Sequence, residues 1–162
     1  MRAIDFHTHP VFMGAGCSRA EVRRLAARGR ALGIERMVAL GDVLVHGRSP
    51  NARQLAAIND ETAQIVRWQP DFFIGFCYLN PTLGARAVER EVERCVGGMG
   101  FRGLKLEIAN NARDACMAPV MRAAERWDVP VLQHSWSQTN IRQRRFHSDP
   151  AAQSYHPHRG KE

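Results

Sequence analysis

The chain has 162 residues, 44% of them hydrophobic and 24% charged. That length suits one domain with a sizeable core, and the balance is ordinary for a soluble globular protein. A net charge of +7 and a pI near 10.0 raise nucleic acid as a partner, but the arginines are spread along predicted helices with acidic residues interleaved, and no aromatic-and-basic stacking surface accompanies them, so that partner ranks last.

Residues 3–6 read as the first strand, and it runs into Asp5-x-His7-x-His9 before Pro10. Alternation along a strand places Asp5, His7 and His9 on one face and Ile4, Phe6 and Thr8 on the other. Two imidazoles at the exposed end of a buried strand can grip one divalent metal; the plainer alternative is a pair of ordinary histidines near the chain start. Gly14 and Gly16 give freedom to the loop that follows. Ser18 and Glu21 form a capping-box pattern that opens a helix, with Val22, Leu25, Ala26 and Leu32 on its apolar stripe and Gly33 as its stop.

Residues 35–40 read as the second strand, and Asn51 as the cap of a second helix that Pro70-Asp71 ends. Residues 72–79 are almost wholly apolar, as a strand buried on both faces is. Asn80-Pro81-Thr82 is expected to start the third helix. Residues 103–107 form the fourth strand, Met117 to Trp127 the fourth helix, and Pro130 to His134 the fifth strand. Five strands alternating with four helices predict an α/β fold with a parallel sheet and right-handed crossovers. The strand starts recur about every 32 residues, and eight such units would need about 254, close to the roughly 250 of a (β/α)8 TIM barrel. The expectation is therefore a partial barrel over residues 1–150.

After His134 the character changes. Residues 135–140 are polar, 141–150 arginine-rich, and 151–162 lack a usable period, so an irregular, disordered or aberrant tail is expected there. His156-x-His158 matches the earlier spacing only, since Pro157 and the lack of a strand argue against a site. Cys17, Cys77, Cys95 and Cys116 form no CxxC pair and read as reduced thiols. Histidines and a proline interrupt the start where a signal peptide would continue, and no run reaches transmembrane length. The expectations are no membrane, a cytoplasmic location and a small-molecule substrate.

Sites in such folds form at the C-terminal ends of the strands. His7 and His9 end strand one, Asp42 follows strand two, Asn80 follows strand three, Lys105 and Glu107 lie on or just past strand four, and His134 ends strand five. Asp42 and Asn80 read first as turn or capping residues. Lys105, between Leu104 and Leu106, faces opposite to both. A lysine there must snorkel to solvent, pair with a carboxylate, act near substrate, or react to a carbamate that bridges metals. Asp5 is one candidate to orient a ligand histidine. Val11, Phe12, Trp136 and Arg142 are candidates to line the mouth.

Ile-Asp-Phe-His-Thr-His-Pro at the start, Gly-Phe-Arg-Gly-Leu-Lys-Leu in the middle and Val-Pro-Val-Leu-Gln-His-Ser at strand five together resemble the amidohydrolase-related family of metal-dependent barrel hydrolases and decarboxylases. The first motif alone also resembles TatD-type nucleases and PHP-type phosphoesterases; the Lys-Leu strand followed by a strand ending in histidine selects among them. The resemblance implies that His7, His9 and His134 bind a divalent metal, zinc first. It implies hydrolysis of a C–N or C–O bond, with non-oxidative decarboxylation as the alternative. It also implies a later histidine after strand six and an aspartate after strand eight, which nothing after residue 150 matches. The third expectation is thus an inactive barrel fragment, truncated after about five units, whose open edges invite self-association.

Overall fold

The computed structural model describes residues 3–11, 16–42, 45–47, 49–107 and 113–134. Phe12, Gly14, Trp136, Arg142, the polar segment after His134 and the 151–162 tail with His156 and His158 lie outside the described residues.

The elements follow the predicted order. They are β1 (Ala3–Thr8), α1 (Arg19–Ala31), β2 (Ile34–Ala39), α2 (Ala52–Trp68), β3 (Phe73–Gly75), β4 (Cys77–Tyr78), α3 (Ala85–Val92), β5 (Leu104–Leu106), α4 (Ala118–Trp127) and β6 (Val131–Gln133). All strand pairs are parallel, in the orders β1-β2-β3 and β4-β5-β6. The capping box at Ser18 and Glu21 is complete, and Asn51 with Gln54 forms a second one. Each satisfies helix N–H groups that would otherwise lack partners. Gly33 ends α1 with φ of 81°, a conformation glycine adopts without steric cost.

The predicted third strand is two short ones, because the run changes partners at Phe76. β3 lies in register with β2 (Val38 beside Ile74), whereas β4 lies in register with β5 (Cys77 beside Leu104). The Phe76 amide still donates to Ala39 O, at 3.3 Å, and the Cys77 amide already donates to Gly103 O, at 2.8 Å. Beyond this point β2 no longer flanks the run, and the backbone of Tyr78 needs another partner. Asn59 of α2 supplies it: Tyr78 N–H donates to Asn59 Oδ1 at 2.8 Å, and Asn59 Nδ2 donates to Tyr78 O at 3.0 Å. The same amide nitrogen donates to Glu91 of α3 at 2.7 Å, and Arg94 donates to that carboxylate. One buried amide therefore joins sheet, α2 and α3.

Asn80 does not open an α-helix. It caps a short 3₁₀ turn at Pro81–Leu83 and donates to Pro50 O, while α3 begins at Ala85 after Gly84. The capping reading of Asn80 is correct, but the helix start is displaced. After Val92 the helix widens into a π-helical turn, Glu93–Gly98.

One sheet face packs on the helices. Met37, Ala39 and Phe73 lie against α1 and α2, and Cys77, Leu79, Leu104 and Leu106 lie against α3 and α4. Val38, Leu40 and Phe76, with Ile74 and Leu132, form a second apolar cluster on the opposite face. A parallel sheet lined by helices on one face and an apolar cluster on the other is the layering of a barrel wall. β1 departs from expectation. It pairs with β2 alone among the described strands, and Ile4 and Phe6 are 48% and 51% exposed, so it is not a buried strand. Its register shifts between Asp5 and Thr8, an irregularity of the kind that bends a strand locally.

Candidate metal and acid-base site

The site grows out of three strand ends. At β1, the Asp5 carboxylate accepts the His7 backbone N–H at 2.9 Å, so Asp5 shapes the bend instead of orienting an imidazole. The side chains of His7 and His9 lie together on one face, as their two-residue spacing predicts, with their Nε2 atoms 3.2 Å apart. At β2, the backbone passes so close to α2 that only glycine fits: a Cβ on Gly41 would stand 2.3 Å from Ile58 Cγ2. The Gly41 carbonyl lies 3.1 Å from His9 Nδ1. A carbonyl can only accept, so Nδ1 carries the proton and Nε2 presents its lone pair.

At β5, Lys105 and Glu107 are both buried, 0% and 5% exposed. Lys105 Nζ donates to Leu106 O at 3.1 Å and lies 3.7 Å from Glu107 Oε2. The lysine is therefore paired with a carboxylate, and the snorkelling alternative is overturned by its burial. At β6, the His134 amide continues the ladder to Leu106 O. The His134 ring meets His7 edge-on, with centroids 5.8 Å apart, and its Nδ1 stands 3.4 Å from Glu107 Oε1.

These groups shift one another. Burial, then the Lys105 charge, then His9 and His134 push the His7 imidazole below its usual pKa. Burial also lowers His9, against the Gly41 hydrogen bond. Lys105 is lowered by burial, with Glu107 working the other way. Burial followed by the Glu107 charge raises the Tyr78 phenol. Asp42, also buried, adds its negative charge to the surroundings of His9.

The His7–His9 pair fits a divalent cation on its own geometry. Two nitrogens each about 2.0–2.1 Å from one tetrahedral ion are separated by roughly 3.3 Å. Both imidazoles are held towards the neutral form that ligation needs. His134 is beside this pair, but among the described residues no three histidine, cysteine or carboxylate side chains converge as a complete ligand set. The sequence therefore locates all four expected site residues, His7, His9, Lys105 and His134, in one neighbourhood. It missed the Gly41 carbonyl, which no side chain advertises. Glu107 was legible only as a residue two positions from Lys105 and so on its face of the strand.

The described residues share their fold with part of several solved barrel enzymes. It is similar to a candidate amidohydrolase from Staphylococcus aureus, with 20% identity, a TM-score of 0.67, and coverage of 86% of this chain and 50% of that one. It is similar to 2,6-dihydroxybenzoate decarboxylase from Rhizobium, at 20% identity and TM-score 0.66, covering 93% and 55%. A dihydroxybenzoic acid decarboxylase from Polaromonas sp. JS666, crystallised with manganese and 2-nitroresorcinol, matches at 20% identity and TM-score 0.63, covering 91% and 54%. The chain spans about half the length of these structures. No protein-family model and no curated protein matches the sequence. All four cysteines are free thiols, and no helix among the described residues is long and apolar enough to cross a membrane.

Proposed function

We propose that this chain carries the first part of a divalent-metal site of the amidohydrolase-related type, used to hydrolyse a C–N or C–O bond of a small molecule. The observation that carries the reading is the 3.2 Å approach of His7 Nε2 to His9 Nε2, with the His9 tautomer set by Gly41 O. His7 and His9 would hold the ion, and His134 would be the third nitrogen ligand. A bound divalent ion supplies Lewis acidity and lowers the pKa of a water molecule. The chain's own groups then do the rest. Gly41 O keeps His9 from rotating, Glu107 balances the buried Lys105 charge, and Lys105 places positive potential beside the histidines, where an anionic substrate group is favoured. Manganese in a matched structure supports a divalent metal more broadly than the zinc first expected.

A second reading is non-oxidative decarboxylation. It is favoured by the matches to two dihydroxybenzoate-type decarboxylases and by the buried cation near the site, which suits a carboxylate. A panel of amides, lactones and hydroxybenzoates, assayed with added Mn²⁺ or Zn²⁺ for hydrolysis and for CO₂ release, separates the two. Hydrolysis lost in the His7→Ala, His9→Ala variant supports the proposal. CO₂ release alone selects the second reading. Metal bound without any turnover leaves a metal-binding barrel fragment.

A further inference from the structure

Resting on the metal-site reading above, we propose that Glu107 is the positioning residue of the site, a single buried carboxylate that sets the tautomer of His134 with one oxygen while anchoring Lys105 with the other. The two contacts use different atoms. Oε1 faces His134 Nδ1 at 3.4 Å, and Oε2 faces Lys105 Nζ at 3.7 Å. Both separations fall within ion-pair range, and the carboxylate is buried between the two partners. A carboxylate accepts only, so it selects the imidazole form with the proton on Nδ1 and the lone pair on Nε2. Gly41 O does the same for His9 from the other side of the site.

Two histidines just past β1 and β6 would then share one tautomer set by unrelated acceptors, one a backbone carbonyl and one a buried acid. Glu107 and Lys105 are buried side by side, and each offsets the cost of burying the other. The sequence places the pair on one face of β5 by its two-residue spacing. His134, on the next strand in register (Lys105 beside Leu132, Leu106 beside Gln133), is one position past the last ladder pair. The arrangement thus follows from strand register.

The test is long-range ¹H–¹⁵N spectroscopy of the histidine side chains in the metal-free protein, which reads the tautomer of each imidazole without any activity. His134 is expected in the Nδ1–H form in the wild type and in Glu107→Gln, whose amide oxygen still accepts, and released to mixed tautomers in Glu107→Ala. His9 should keep its Nδ1–H form in all three. A Mn²⁺ titration of the same samples should show affinity weakened about tenfold to hundredfold in Glu107→Ala, with Glu107→Gln in between. His134 found in the Nε2–H form in the wild type overturns the proposal without needing any variant to fold. So does an unchanged His134 tautomer in a folded Glu107→Ala protein. Failure of the metal reading looks different: the tautomers are as stated, but no Mn²⁺ binds.

Discussion

Gly41→Ala couples packing to the site. The new Cβ would meet Ile58 Cγ2 at 2.3 Å, Thr62 Oγ1 at 2.9 Å and the Ile58 carbonyl at 3.2 Å. Ordinary carbon contacts lie at about 3.5–4.0 Å, so either α2 or the end of β2 must yield by more than 1 Å, roughly. The strand end cannot yield freely, because the Leu40 amide is bonded to Thr8 O at 2.9 Å. Overpacking of this kind costs about 1–3 kcal/mol, read as a lower urea midpoint. Whatever part of the strain the strand absorbs moves Gly41 O away from His9 Nδ1, and loss of such an orienting contact weakens metal binding about tenfold to hundredfold. Ile58→Ala alone removes a buried side chain at a cost of about 2–5 kcal/mol. Because it also removes the clashing methyl, the double variant should be less destabilised than the two single changes added together. A Gly41→Ala protein with an unchanged midpoint and unchanged Mn²⁺ affinity would refute this reasoning.

Burial works to raise the Glu91 pKa, yet hydrogen bonds from Arg94 and then Asn59 hold it below its ordinary value of 4.5. A carboxyl lowered in the folded state stabilises above its unfolded pKa and loses that contribution as pH falls through the folded one. Glu91→Gln should therefore cost about 1–2 kcal/mol at pH 7, a modest figure because Arg94 is partly exposed, and the gap from wild type should close below pH 4.5 in matched urea titrations. The His7 and His9 pKa values lie below 6.5, so both bind protons less readily folded than unfolded. Metal affinity should hold down to about that pH and decline beneath it; a decline beginning well above 6.5 would contradict the assignment of neutral ligands. Exposed Ile4 and Phe6 on an end strand predict concentration-dependent self-association in sedimentation experiments, reduced by Phe6→Lys; a monomer at all concentrations would remove that partner.

Local signals in the sequence were reliable where one side chain decides the outcome. Ser18 with Glu21, and Asn51 with Gln54, close their capping boxes because each is a short-range exchange of hydrogen bonds. Strand identity was legible for the same kind of reason, since apolar runs between helices leave few options. What escaped depends on neighbours distant in sequence. The break at Phe76 follows from how far β2 extends, which the apolar run at 72–79 does not encode. Asn59 carries no local signal, because its purpose, replacing a strand for Tyr78, exists only in the folded chain. The register shift in β1 has no local signal, yet His7 and His9 lie together as their spacing predicts. Glu107 entered the site through strand register with His134, a relation that no local motif states.

The central claim is that His7 and His9 form a divalent-metal pair at the end of β1. Its most direct test is the metal content of purified protein, together with Mn²⁺ and Zn²⁺ titration of the metal-free form, for the wild type and for the His7→Ala, His9→Ala variant. Saturable stoichiometric binding by the wild type that disappears in a variant of unchanged thermal stability is the predicted result. Equal metal content in both proteins would contradict the claim.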